Sequence, residues 1–248
     1  MYNHLILLTN DFVIHHSFIA LHVAIKEGDS LDITQNVIDE VNALLGDNSD
    51  FSFQFFATED KTWKSVVDYD PYFEHMHNID YVGYESIKEF VNVIKANKVL
   101  TADDVSEFVL SRVKCTQLKL QKLVYFCYAD YLAKTGKPVF AELPVPYQYG
   151  PVFESLRDEY KQYHDTEIPS DTSQRRQNII LSRYFAADNK LEIYASFNGT
   201  LARYGNKSAS ELVELTHRAN SPWNIAKEEN QKYISQDTIQ KYHYAETI

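Results

Sequence analysis

The fold is decided largely by residues 116–152, which read TQLKLQKLVYFCYADYLAKTGKPVFAELPVPYQYGPV. Thr116 is a suitable helix N-cap, and apolar residues recur after it at helical spacing. These residues are Leu120, Leu123, Val124, Cys127 and Tyr131. Gly136 and Pro138 mark the end of the pattern. The stretch therefore predicts an amphipathic helix with one buried stripe.

The second half of this stretch predicts an extended segment and a turn. Pro144 and Pro146 cannot donate hydrogen bonds to a sheet, so residues 139–148 fit only an edge hairpin or an extended arm. Tyr149-Gly150-Pro151 predicts a chain reversal that leads into the next helix, over residues 152–163.

A second informative block is YGNKSASELVELTHRANSPW at residues 204–223. Ser208 and Glu211 have the spacing of a capping box in front of apolar residues, which predicts a helix. Ser221-Pro222-Trp223 begins another turn, in which we expect Trp223 to fill the core. Ser235 can cap a short final helix.

The first hundred residues have a different pattern. We expect helices over residues 32–45 and 85–96, a strand over residues 51–58, and a helix that begins at Thr101. Residues 5–25 are rich in β-branched, aromatic and aliphatic side chains without a clear period, so strand and helix stay open there.

The charge distribution suggests two regions. The formal net charge is −11, and residues 1–100 contain no Arg and far more Asp and Glu than Lys. We expect an acidic, mixed α/β region over residues 1–105 and a second, mainly helical domain over residues 106–248. The expected fold class is α+β, predominantly helical, with a short β-hairpin in the second domain.

The composition also bounds the function. An acidic surface disfavours nucleic acid, and it either steers a basic partner or, more commonly, only maintains solubility. No apolar run approaches the roughly 18 residues of a membrane span, so we expect no membrane partner and a cytoplasmic protein. Cys115 and Cys127 are the two cysteines, which suits a reducing compartment.

The sequence contains no recognisable catalytic or metal-binding motif. The histidines at positions 15, 16, 22, 75 and 77 lack the spacing of a zinc site. A Gly-x-Ser-x-Gly elbow and a Gly-rich phosphate loop are also missing. We therefore predict no catalytic residue, no metal, no cofactor and no enzymatic activity. A metal-dependent hydrolase that uses the N-terminal histidines and acids remains as a less favoured alternative.

Two sets of side chains are candidates for partner binding. Lys119, Lys122, Arg157 and Lys161 could form a basic strip, but Asp158 and Glu159 dilute its field, so solvated helix faces are the favoured interpretation. Seven tyrosines also fall near the first block, and they serve either a protein interface or the core. They are Tyr125, Tyr128, Tyr131, Tyr147, Tyr149, Tyr160 and Tyr163.

Together the two blocks resemble the Panacea domain, also called the SocA-like antitoxin domain. The resemblance rests on Thr116-x-x-Lys119-Leu120-Gln121-Lys122-Leu123 with Tyr125, on Gly136-Lys137-Pro138-x-Phe140, and on Tyr149-Gly150-Pro151-Val152. It continues from Tyr204-Gly205 through Ser210-x-Leu212-x-x-Leu215-Thr216-His217 to Ser221-Pro222-Trp223. It covers about residues 112–245.

The resemblance implies a mostly helical antitoxin of a two-gene toxin–antitoxin system, of the kind found in prophages and defence loci. Such a protein neutralises a protein toxin by direct binding, or alternatively acts as an adaptor that delivers the toxin to a protease. The family motif assigns partner-binding or fold-defining roles to Lys119, Gln121, Lys122, Tyr125, Tyr149, Gly150, Pro151, His217 and Trp223. Because residues 1–100 lie outside the family, we expect them to contribute to toxin specificity.

Overall fold

The computed structural model describes residues 1–13, 17–46 and 50–248. These residues form two compact units, Met1–Lys98 and Val99–Ile248. The fold is α+β and predominantly helical, as predicted. Within the described ranges, no helix is both long enough and apolar enough to cross a membrane. The predicted domain boundary at 105/106 falls inside a helix of the second unit, Ala102–Leu110.

A four-stranded sheet forms the centre of the first unit. Its strands are β1 (Tyr2–Asp11), β2 (Ser17–Lys26), β3 (Ser52–Thr58) and β4 (His77–Asp80), in the order β3-β1-β2-β4. β1 is antiparallel to β2 and β3, whereas β2 is parallel to β4. Residues 5–11 and 17–25 thus belong to two paired strands. Both faces of these strands are covered, which explains their apolar runs without alternation.

Three helices cover the sheet of the first unit. They are α1 (Asp32–Leu45), α2 (Trp63–Tyr69) and α3 (Tyr84–Asn97). Leu5 and Leu7 belong to one core cluster with α1 and α3. Ile6 and Leu8 belong to another cluster, with Val66 of α2. The predicted helix at 32–45 is confirmed, with Leu31 at its N-cap position.

The second unit is built around one long helix. Its elements are α4 (Ala102–Leu110), α5 (Gln117–Thr135), β5 (Val145–Tyr147), β6 (Gly150–Val152), α6 (Glu154–Tyr160), α7 (Gln174–Ala186), α8 (Lys190–Tyr204), α9 (Ala209–Thr216), α10 (Pro222–Glu228) and α11 (Gln236–Tyr242). A 3₁₀ turn follows at His243–Glu246. α4, α8, α9 and α11 all pack on α5, which is therefore the centre of the unit.

The predicted amphipathic character of α5 is wrong. Every residue from Leu120 to Ala129 is buried, so the helix has no solvent face over that stretch. A helix surrounded on all sides lies inside a core, where polar residues need internal partners. The predicted ends are confirmed: Thr116 accepts a hydrogen bond from the Lys119 N–H, and Gly136 is left-handed at the C-cap.

The second domain contains the predicted short hairpin, but it lies over residues 145–152 rather than 139–148, and the helix that follows starts later than expected. β5 and β6 pair antiparallel, with Pro146 opposite Pro151. Residues 150–152 therefore belong to a strand, and α6 begins only at Glu154. Pro151 lacks an N–H to donate, and a two-stranded hairpin tolerates that loss.

Candidate functional site

Lys122 lies at the centre of the residues that the motif assigns. Its side chain is fully buried, and its Nζ donates a hydrogen bond to the Pro151 carbonyl oxygen at 2.7 Å. Burial lowers the pKa of this ammonium to about 7, and the charge of Glu246 opposes that effect. The interpretation of Lys122 as part of a solvated helix face is wrong. The ammonium is tolerated inside because a backbone carbonyl is aimed at it.

Gln121, the neighbouring residue on α5, holds the residue that directly follows β6. Its amide nitrogen donates to the Phe153 carbonyl at 3.0 Å, and its amide oxygen accepts from the Phe153 N–H at 2.9 Å. Both backbone groups of one buried residue are thereby satisfied by a single side chain. Two consecutive α5 residues thus fix β6 and the chain that leaves it.

Gly150 is the point of closest approach in this cluster. Its φ is +100°, a conformation that other residues rarely adopt. A Cβ at this position would lie 2.7 Å from Thr216 Oγ1 and 2.9 Å from Lys122 Cε. Glycine is therefore required here on both conformational and steric grounds, with α5 on one side and α9 on the other.

Residues 204–223, the second sequence block, contact β5 through an aromatic pair. The rings of His217 and Trp223 are stacked with centroids 3.8 Å apart. Trp223 Nε1 donates a hydrogen bond to the Tyr147 carbonyl at 2.8 Å. Burial lowers the pKa of His217, and the nearby Lys122 charge lowers it further. Trp223 packs against the core but keeps part of its surface exposed, so it fills the core only in part.

The assigned residues fall into two groups by exposure. Gln121, Lys122, Tyr125, Gly150 and Pro151 are buried. The others reach the surface: Lys119, His217 and Trp223 are half-buried, and Tyr149 is 60% exposed in the hairpin turn. Apart from Tyr125, the first group shapes the hairpin, whereas the second group is accessible to a partner.

Most of the tyrosines near the first block belong to the core. Tyr125, Tyr128, Tyr131 and Tyr160 are buried. Tyr147 and Tyr163 are half-buried, and Tyr149 is exposed. These four tyrosines therefore serve the core and not a protein interface.

A buried polar chain starts from Tyr125 and was not predicted. The Tyr125 hydroxyl donates to Glu246 Oε1 at 2.7 Å, and Glu246 Oε1 lies 2.8 Å from His243 Nδ1. The other ring nitrogen of His243 lies 2.7 Å from Asp130 Oδ1. Asp130 also accepts from the Thr200 hydroxyl at 2.5 Å. The chain connects α5 with α8 and with the 3₁₀ turn after α11.

The charges in this chain support one another. Burial alone would lower the pKa of His243, but hydrogen bonds and charges from Asp130 and Glu246 outweigh it and raise the pKa to about 9. His243 is therefore a cation at neutral pH, held between two carboxyl groups. No local pattern could have revealed this chain, because Tyr125 and Glu246 are 121 residues apart.

The N-terminal histidines form a different arrangement from the one a metal needs. His4 Nδ1 lies 2.8 Å from His22 Nε2, and His22 Nδ1 lies 2.8 Å from Asp80 Oδ1. His4 Nε2 lies 2.8 Å from the Thr58 hydroxyl. All four strands of the sheet contribute to this row, in which each of the four ring nitrogens has a hydrogen-bond partner within the protein. Across the described ranges, no group of three or more candidate metal ligands occurs; residues 15 and 16 lie outside those ranges.

The surroundings of Lys122 lie within the part of the chain that matches a known family. Residues 120–224 match the antitoxin SocA-like, Panacea domain family. The Panacea resemblance is thereby confirmed. The matched residues 120–224, called the Panacea segment below, include every assigned motif residue except Lys119. The first unit and Glu246 lie outside this segment. Neither a curated protein nor a solved structure matches the chain.

The role of Lys122 can be separated into packing and charge. We expect Lys122→Ala to lower the free energy of unfolding of the second unit by about 3 kcal/mol, because it leaves a cavity around the buried stem. Lys122→Met keeps most of the volume and removes the buried charge, so we expect a loss of less than about 1.5 kcal/mol. Chemical denaturation of the full chain measures both.

Lys119→Ala is the matched control on the same helix, with an expected change within about 0.5 kcal/mol because its side chain is half-exposed. If Lys122→Met were as costly as Lys122→Ala, the hydrogen bond to Pro151, and not the packing, would carry the effect.

Proposed function

We propose that this protein is an antitoxin that neutralises a protein toxin by direct binding and has no catalytic role of its own. The observation that carries the proposal is the Panacea match over residues 120–224. Its partner is then the toxin of a two-gene system, and its place of action is the cytoplasm.

The geometry supports a binding function for the Panacea segment. Lys122, Gln121 and Gly150 use their polar groups or their small size inside the fold. Their contacts hold one hairpin in place, and that hairpin presents Tyr149 to solvent. An exposed tyrosine on a fixed backbone suits protein recognition, since it offers a large contact area with few torsions to freeze.

Co-expression with the product of the adjacent gene tests the proposal. We expect the neighbour to arrest growth when expressed alone, and this protein to restore growth and to copurify with it. Lys122→Met serves as the matched variant that retains rescue, whereas Lys122→Ala weakens it through loss of folded protein. A neighbour that is harmless alone, or toxic but not rescued, would contradict the antitoxin function.

The same cells distinguish blocking from delivery to a protease. Direct blocking leaves the amount of toxin unchanged while its effect disappears. An adaptor would instead shorten the half-life of the toxin, which immunoblotting after inhibition of translation would reveal. We expect a stable toxin.

We further propose that residues 1–98 contribute to the choice of toxin, since they lie outside the Panacea match and contain most of the negative charge. We expect their removal to abolish neutralisation while circular dichroism shows that the remainder is still folded. Full neutralisation by that folded remainder would contradict this role.

A further inference from the structure

The β3 strand leaves one side of the sheet open in the first unit. Among the described residues, β3 pairs with β1 alone and stands at the end of the order β3-β1-β2-β4. Its other side therefore presents backbone N–H and C=O groups that can pair with another strand. Strand Ser52–Thr58 contains no charged residue and no proline, which are the usual means of blocking such an edge.

The same strand exposes two aromatic side chains. Phe53 is 61% exposed and Phe55 is 47% exposed. They are two positions apart and thus lie on one face of the sheet, opposite Leu7 and Leu5 of β1 in the register. An open edge with adjacent exposed phenylalanines combines backbone pairing with side-chain specificity, as in recognition by strand addition.

The charge around β3 indicates the kind of strand that fits. Residues 1–98 contain six lysines and no arginine against sixteen Asp and Glu residues. Three of those lysines, at positions 64, 88 and 98, already pair with carboxylates of the same unit. Glu59 and Asp60 follow the strand, with Lys61 next to them, and Asp50 precedes it but is itself the partner of Lys98. A strand with apolar residues in its middle and Lys or Arg near its ends complements this edge.

A second copy of this chain fits the edge poorly. In an antiparallel pair of β3 strands, the start of one strand lies beside the end of the other. Asp50 of each copy would then approach Glu59 and Asp60 of its mate, and these like charges would repel to the extent that Lys98 leaves Asp50 uncompensated.

We infer that the open edge of β3 binds an extended basic strand of the toxin, which covers Phe53 and Phe55. This inference rests on the proposed antitoxin function and names the surface that the toxin uses. Backbone pairing supplies affinity, and the two phenylalanines with the flanking carboxylates supply selectivity.

Binding of the purified adjacent-gene product tests the inference. We expect the double variant Phe53→Ser/Phe55→Ser to weaken the dissociation constant about 100-fold. Phe18→Ser is the control: Phe18 is also exposed, at 39%, but it belongs to β2, which is paired on both sides. We expect it to change binding by less than about threefold. Thermal melts should show that both variants keep the fold.

Charge reversal and amide exchange sharpen the test. Phe53→Lys/Phe55→Lys should weaken binding more than Phe53→Glu/Phe55→Glu, because the incoming strand is basic. Hydrogen exchange of residues 52–58 should slow when the toxin binds, since strand addition protects edge amides.

The outcomes separate this inference from the proposed function. A toxic neighbour that wild type and the Phe53/Phe55 double variants neutralise equally, with unchanged exchange in β3, would overturn the inference and leave the antitoxin function standing. A harmless and unbound neighbour would overturn both. Dimerisation of the free protein that the double serine variant abolishes would assign the edge to a second copy instead.

Discussion

Gly150→Ala is expected to lower the free energy of unfolding of the second unit by about 3 kcal/mol or more. Two costs add at this position. Alanine is strained at a φ of +100°, and its methyl group would lie 2.7 Å from Thr216 Oγ1. Neither neighbour can withdraw freely, because Thr216 and Lys122 are themselves buried. The variant should displace β6 from its place between α5 and α9.

Gly136→Ala is the matched control for this prediction. Gly136 also has a positive φ, +72°, but no atom lies within 4 Å of the position a Cβ would take. It should therefore show the conformational cost alone, about 1 kcal/mol. The two tryptophans lie in different units, so a Trp63→Phe background leaves Trp223 as the reporter of the second unit in denaturation experiments. Equal losses for the two variants would show that crowding at Gly150 is relieved.

His243→Phe is expected to cost about 3 to 5 kcal/mol at pH 6, because it leaves two buried carboxyl groups without their shared cation. The side chains of Asp130 and Glu246 are 9% and 0% exposed; Asp130 keeps its contact with Arg203, so the larger cost falls on Glu246. Adding Glu246→Gln removes one of the stranded acids and should restore about 1 kcal/mol or more. No recovery in the double variant would indicate that Glu246 is already protonated there.

The difference between wild type and His243→Phe should depend on pH in a defined direction. The pKa of His243 is raised from 6.5 to about 9 in the folded protein. Its contribution is therefore complete below pH 6.5 and is lost as pH rises toward 9, by about 3 kcal/mol. Lys122, whose folded pKa is about 7, adds a stability change of opposite sign from pH 7 upward. Because Lys122 is present in both proteins, subtraction removes its effect. A difference that stays constant from pH 6 to 9 would contradict the charged state of His243.

The parts of the fold that could be predicted are those specified by neighbouring residues. Ser208 and Glu211 make the predicted capping box at the start of α9, and Gly136 makes the predicted left-handed end of α5. Each of these features is complete within a few residues, so the sequence shows both partners together.

The features that escaped prediction depend on partners far along the chain. Lys122 looks like a surface residue until the Pro151 carbonyl, 29 residues away, is placed beside it. Strands β1 and β2 are apolar on both faces because helices cover both sides of the sheet. Their sequences therefore lack the alternation of apolar and polar residues that would identify a strand. The motif thus identified the Panacea segment, while the burial of its charged residues could be seen only in the structure.

The bond between Tyr125 and Glu246 has a consequence for synthesis on the ribosome. The central helix is translated 121 residues before its carboxylate partner. During that interval the Tyr125 hydroxyl and Asp130 have neither Glu246 nor His243 to complete their surroundings. A nascent or prematurely terminated chain that stops short of residue 243 therefore contains α5 without the buried hydrogen-bond partners of Tyr125 and Asp130. We therefore expect such a chain to be degraded faster than the completed protein, because its open form is more populated.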